Sequence, residues 1–392
     1  MRFFPQNPCS AARLGLGLSY VSVLVLTVSA AFSQNPVLKT RTKEEREERL
    51  AATHRITLNV QVTDSSGNAV SDLHAADFKL YDNHQTRKIA SFHAIDGQAF
   101  ADATDILIVL DAVNSSEQTL ATEKNAIFKF LAESHKPFTN PTGFALWFNG
   151  HLSAMQPTID RNAVGRAFVK LTKGLHSNDC AGEKNLAEPR AAEQKISMGA
   201  GSGKVDPATC RAVHFRDSIA ALDGIALQQV AKGGRTLLIW VGPGWPRLSS
   251  AEIQRIAPRQ QQELANQFVT MLRDFRAAQM TVYSIAPTDS TQPPGAAVAP
   301  GPSIVNASDP PGAMPGLTLD EFAKKTGGRA RLASTDVMED LKTCMRDADW
   351  YYAVSFNAPP AQNGPGELHL LEIQVDRPGV EVRTMNAYYP EP

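Results

Sequence analysis

Cysteine is scarce in this chain, with 4 in 392 residues, far too few for a disulfide-stapled scaffold. Neither sign of charge dominates: Lys+Arg is 39 and Asp+Glu is 40. That balance excludes the clustered positive surface a nucleic-acid binder needs, so no nucleic-acid partner is expected. Proline (25) and glycine (26) are too few for a collagen-like or disordered chain. There is no Gly-x-Ser-x-Gly nucleophile elbow and no His-Glu-x-x-His pair. The glycine-rich stretch Gly199 to Lys204 lacks phosphate-loop spacing, has Val205 where Ser or Thr is required, and follows no strand pattern. What is present is a globular profile, 43% hydrophobic and 20% charged, long enough for two ordinary domains.

The N-terminus is apolar without being acidic. Arg2 and Arg13 precede an apolar run from Leu14 to Val28, and small residues follow from Ser29 to Ser33. Basic start, apolar middle and small-residue exit are the three parts of a secretory signal, so residues 1–33 are expected to be removed after Ala30 or Ser33. An uncleaved anchor is the competing reading, because the run is almost long enough to span a bilayer. No later stretch is apolar enough to do so, and no stable membrane span is expected after cleavage. The expected location is secreted or periplasmic.

Export governs how the cysteines read. Cys9 leaves with the signal, and Cys180, Cys210 and Cys344 stay in an oxidising compartment. Cys180 and Cys210 flank a polar stretch with no helical or strand period, and a disulfide between them would confine it. His176-x-x-x-Cys180 and Cys210-x-x-x-His214 also have the residue types of a tetrahedral zinc site, which stands as the alternative to the disulfide. Cys344 falls in a helical pattern beside Leu341 and reads as a buried free thiol.

Residues 34–54 form a mixed-charge linker. Alternation at Ile56, Leu58, Val60 and Val62 marks a half-buried strand, Asp64 to Asn68 a turn, and Phe78, Leu80 and Ile89 to Phe92 two further strands, so 55–97 is a β block. The pattern changes at Asp105 to Asp111, a continuous apolar run that suits a strand covered on both faces. Helices are expected at 117–134, 163–171, 215–230 and 253–278. Strands are expected at 144–148, 236–241 and 280–285, giving a doubly wound α/β domain over 101–348. An irregular insertion covers 174–211, and a Pro/Gly-rich loop covers 287–316. Short helices follow at 317–326 and 337–345. Alternating β character returns in 349–392, at Tyr352, Val354, Phe356, Leu371, Ile373, Val375, Val380 and Val382. Each β block alone is too small for a stable core. The expected architecture is therefore one antiparallel β-sandwich built from both blocks, with the α/β domain inserted between them.

Four segments in this order resemble the bacterial secreted von Willebrand factor A-related family: Val62-Thr63-Asp64 through to Tyr81-Asp82; the strand ending at Leu110-Asp111; Leu237-Leu238-Ile239-Trp240 with its glycine-rich exit; and Arg377-Pro378-Gly379-Val380 to Tyr388-Tyr389. The resemblance implies a metal-ion-dependent adhesion site at the strand ends: Asp-x-Ser-x-Ser, a Thr from a second loop and an Asp from a third. Here Asp111 and Ser115 match. Val113 replaces a hydroxyl with a hydrocarbon, Val241-Gly242-Pro243-Gly244 carries no acid, and the residues on either side of Phe215 are His214 and Arg216 rather than Thr. A hard divalent cation needs an oxygen set that this loop does not supply. The expected function is an exported, non-enzymatic interaction module with a degenerate metal site and an unidentified protein partner. Asp111, Asn114, Ser115 and Trp245 are expected on its binding rim, and Trp240 in the core. No catalytic residue and no cofactor are expected. The competing readings are Mg or Mn held by Asp111 and Ser115, and an exported hydrolase with an unrecognised site.

Overall fold

The computed structural model describes residues 55–97, 103–180, 207–245, 257–288, 318–362 and 367–390. The signal segment, the charged linker, and most of the insertion and of the Pro/Gly-rich loop lie outside the described residues.

The central unit is a six-stranded sheet with helices on both faces. Its strands are β5 (Asp105–Asp111), β6 (Thr142–Phe148), β7 (His151–Ala154), β8 (Thr236–Val241), β9 (Met280–Pro287) and β10 (Ala330–Ser334). The order across the sheet is β10-β9-β8-β5-β6-β7. Every pairing is parallel except the β6–β7 hairpin. Strand β5 reads as an unbroken apolar run because its two faces meet different helix layers. Leu107 and Val109 pack with α3 (Pro207–Lys232), α4 (Pro258–Ala277) and α5 (Leu319–Lys325). Ile106, Ile108 and Leu110 pack with α1 (Glu117–Ala132), α2 (Arg161–Thr172) and α6 (Val337–Arg346). Side-chain caps start the helices on the second face: Ser116 accepts from the Thr119 amide, Asp160 from Ala163 and Asp336 from Glu339. The chain is thus mixed α/β with a mostly parallel central sheet, compatible with a Rossmann-like fold.

The two β blocks interleave, so that each of the two sheets contains strands from both. In the N-terminal block the strands are β1 (Arg55–Thr63), β2 (Phe78–Asp82), β3 (Gln85–Arg87) and β4 (Ser91–Asp96). The C-terminal block supplies β11 (Trp350–Asn357), β12 (His369–Val375), β13 (Glu381–Arg383) and β14 (Ala387–Tyr388). They form two antiparallel sheets, β13-β1-β11-β4 and β14-β12-β2-β3. Both ladder partners of β1 come from the C-terminal block, Ile56 opposite Phe356 and Val62 opposite Val382. The sheets share one core that holds Val62, Phe78, Leu80, Val354, Ile373 and Tyr388. Phe78, Phe92 and Tyr352 meet in it with centroids 5.1–5.4 Å apart. The Tyr352 hydroxyl donates to the Val70 carbonyl at 2.7 Å and accepts from the Leu73 amide at 3.1 Å, tying the first block's connecting loop to the last block's strand.

The described ends of the two connections between the β blocks and the α/β unit lie together. The Gly97 amide donates to the Asp349 carbonyl, and Asn140 bridges the Thr104 amide and the Asp349 carboxylate. A buried ionic joint closes the seam. Asp347, just past α6, receives two bonds from Arg383 of β13 at 2.8 and 2.9 Å, one from the Tyr283 hydroxyl at 2.9 Å and one from Arg329 at 3.4 Å. Its main-chain oxygen accepts from Gln61 of β1 and from Arg235, whose guanidinium lies 4.0 Å over the Tyr351 ring. Burial opposes ionisation of Asp347, but Arg383, Arg329 and the Tyr283 hydroxyl outweigh it and hold the carboxyl below its ordinary value.

Two expectations change at their edges, the strand expected at Ile89 to Phe92 running instead over Ser91–Asp96. The helix expected at 215–230 begins at Pro207, so it starts inside the range assigned to the irregular insertion. Strand β10 was unmarked in the sequence pattern because Ala-Arg-Leu-Ala-Ser is a sheet edge, with Leu332 half exposed and a register shift beside Arg331. Strand β7 escaped for the same reason. Among the described residues, no helix is long and apolar enough to cross a membrane.

Candidate functional site

Strand order reverses between β5 and β8: the chain leaves β5 for β6 on one side and returns to β8 on the other. In open α/β sheets the crevice outside the C-terminal strand ends at such a point is where ligands bind. Asp111, Ala112 and Val113 leave β5 there, and Gly242 leaves β8 beside them. A Cβ on Gly242 would come within 2.5 Å of the Asp111 Cβ, and its φ of +144° is one that side chains rarely adopt. The two loops touch because that position is glycine.

Asp111 is fully buried, and four groups of the protein donate to its carboxylate. Oδ1 accepts from the Val113 amide (3.1 Å), the Asn114 amide (3.0 Å) and Asn114 Nδ2 (3.1 Å). Oδ2 accepts from Asn114 Nδ2 (2.9 Å) and from the Trp240 indole (3.0 Å). Asn114 Nδ2 also reaches the hydroxyl of Ser218 on α3 at 3.2 Å. Burial pushes Asp111 up to about 6, against the bonds from Asn114, Trp240 and Val113 that favour its charge. Ser115, also fully buried, donates to Glu123 on α1 at 2.9 Å, and its carbonyl accepts from Ser177 at 2.6 Å. Burial pushes Glu123 well above the usual carboxylate range, and the nearby Asp111 adds to the shift despite the Ser115 bond.

The expected rim is not a surface. Asp111 and Ser115 have no exposed side chain, and Asn114 is only half exposed. Trp245, expected as a candidate contact residue, is 2% exposed and packs against Phe268 and Phe322. Its apolar bulk closes the end of the core between α4 and α5. Trp240 is core as expected, with the added role of an N–H donor to Asp111. Glu123 and Ser218 were missed. Glu123 carried a readable signal, since it falls in the apolar stripe Leu120, Glu123, Ile127 of α1 where an acid has no reason to sit unless it is used.

Cys180 and Cys210 form a disulfide, with Cα atoms 5.8 Å apart. The four-ligand zinc alternative fails on His176, which is exposed and turned toward Glu117 at 3.3 Å. His214 stays against the sulfurs, and Arg216 points away to Asp217. Cys344 is a buried free thiol, as expected, with its proton held tightly by burial and the nearby Asp347.

No family model matches the chain, and no curated protein matches it. Among solved structures, the human COPII-coat protein Sec24c aligns with a TM-score of 0.33 at 10% identity, covering 78% of this chain and 48% of that one. The chain thus spans about half the length of that structure.

Proposed function

We propose that the chain is an exported, non-enzymatic interaction module of the von Willebrand factor A type, whose strand-end site works without a metal. The observation that carries this reading is the filling of Asp111: peptide, amide and indole N–H groups occupy the carboxylate positions a cation would use. Val113 turns an apolar, buried side chain where a hydroxyl ligand would stand, and Gly242 leaves no room for a second acid. Asp111 and Glu123 are closed from solvent, which speaks against a substrate reaching two carboxyls there.

Binding then falls to what surrounds the site. Of the expected rim residues, Asn114 is the one whose side chain stays half exposed, and the partner contact falls to it and its described neighbours rather than to the buried Asp111 or Trp245.

The test pairs two measurements on the chain without residues 1–33. Calorimetric titration with Mg²⁺ or Mn²⁺ should show nothing tighter than about millimolar, near −4 kcal/mol. Used as bait in envelope extract, the chain should retain the same partner in Mg²⁺ and in EDTA. Micromolar metal binding lost in Asp111→Ala, or capture that needs Mg²⁺, overturns the reading.

A further inference from the structure

Cys210 and His214 lie four residues apart on α3, so their side chains project from one face of the helix. Cys180 reaches that face from the loop after α2, a loop fixed by the Asn178 amide on the Ala112 carbonyl and by Ser177 on Ser115. The imidazole stands against both sulfurs. His214 Nδ1 is 3.3 Å from Cys180 Sγ, and Nε2 is 3.8 Å from Cys210 Sγ. The three ligand atoms all lie within 4.8 Å of one another. A tetrahedral zinc, with sulfur at ~2.3 Å and nitrogen at ~2.0 Å, sets sulfur–nitrogen separations of about 3.5 Å. Cys180 Sγ and His214 Nδ1 already stand near that spacing, while Cys210 faces the other ring nitrogen, so a metal on Nδ1 requires the bond between the sulfurs to break and Cys210 Sγ to turn toward that nitrogen.

We propose that Cys180, Cys210 and His214 form a three-ligand zinc site when their disulfide is reduced. The reductant is a dithiol. Its thiolate attacks one sulfur to give a mixed disulfide, and its second thiol displaces the protein sulfur to close the reductant's own disulfide. Two electrons and two protons pass to the protein, leaving Cys180 and Cys210 as thiols. Zn²⁺ then displaces both thiol protons and takes two thiolates and one neutral imidazole nitrogen, with water in the fourth position. Two thiolates neutralise the ion, as a largely buried site requires: Cys210 and His214 are buried and Cys180 is half-buried. His176 has no part, since it is paired with Glu117.

The experiment uses the full chain, oxidised or reduced with a phosphine that is then removed. Zinc alone is followed by calorimetry, and Co²⁺ by its thiolate charge-transfer absorption. Reduced protein should bind one zinc with a dissociation constant below about micromolar and give the thiolate band, while oxidised protein should do neither. His214→Ala should weaken zinc by about tenfold or more. Cys180→Ser, outside α3, should abolish the band while its circular dichroism stays that of the parent. His176→Ala should change nothing. Reduced protein that binds no zinc, binding that His214→Ala leaves intact, or a cobalt complex lacking the thiolate band each overturns the proposal.

Discussion

Removing the Asp347 carboxylate tests whether the seam between the α/β unit and the β-sandwich is held by charge. The carboxylate is buried and compensates Arg383, itself mostly buried, and Arg329; it also accepts from the Tyr283 hydroxyl. Asp347→Ala leaves two guanidinium groups in a poorly hydrated seam with only the exposed Glu381 carboxylate, 3.5 Å from Arg329 and 3.6 Å from Arg383, as counter-charge. Breaking a buried pair from one side costs about 3–5 kcal/mol, a large share of the roughly 5–15 kcal/mol that stabilises a typical domain. Asp347→Asn keeps an acceptor but not the charge, so it should fall between the parent and the alanine variant. Arg383→Met removes the repulsion that the alanine variant exposes. The double variant should therefore be more stable than the sum of the single losses implies, by about 1 kcal/mol or more. Urea unfolding followed by circular dichroism at pH 7 measures all four proteins. The parent carries an acid limb of known sign. Because the folded-state value of Asp347 lies below its ordinary 3.8, its contribution is present above that value and is lost as pH falls through the lower folded value. Asp347→Asn should lack that limb. A shift below about 0.5 kcal/mol for Asp347→Ala, or strict additivity with Arg383→Met, would refute the argument that this pair holds the seam.

Two further outcomes are expected. Truncation after Ala348 removes both ladder partners of β1 and the β12 partner of β2, so amides of residues 55–97 should lose protection from hydrogen exchange; a first block that stays protected without the tail would show that it folds unaided. Asp111, raised from 3.8 to about 6, binds its proton more tightly in the folded state. Its contribution is therefore full below pH 3.8 and lost as pH rises through 6, so the parent should lose about 1 kcal/mol relative to Asp111→Asn between pH 5 and pH 7. A stability difference between the two proteins that does not vary over that range would count against a buried, strained carboxylate.

What the sequence determined by itself follows from periodicity. Ile56, Leu58, Val60 and Val62 alternate because one face of β1 lies in the sandwich core while polar Thr57, Asn59, Gln61 and Thr63 occupy the other, and Ile106 to Leu110 do not alternate because apolar layers cover β5 on both faces. Such patterns are local, so strands and helices were legible, and so was the economy of joining two small β blocks into one core. The disulfide was legible for a different reason: two cysteines at the ends of an unpatterned stretch have few other partners. What the tertiary structure alone decided is which polar groups meet. Trp240 sits 129 residues from Asp111, and no spacing rule links an indole on β8 to a carboxylate on β5; only the parallel pairing of the two strands, with Val109 opposite Trp240, brings them together. Burial was equally non-local. Trp245 looked like an exposed aromatic at a loop, but α4 and α5 close over it, and that closure depends on helices that start beyond residue 257. Apolar pattern is written along the chain because each strand meets its own layer, whereas charge pairing and loop burial belong to elements the chain brings together only when it folds.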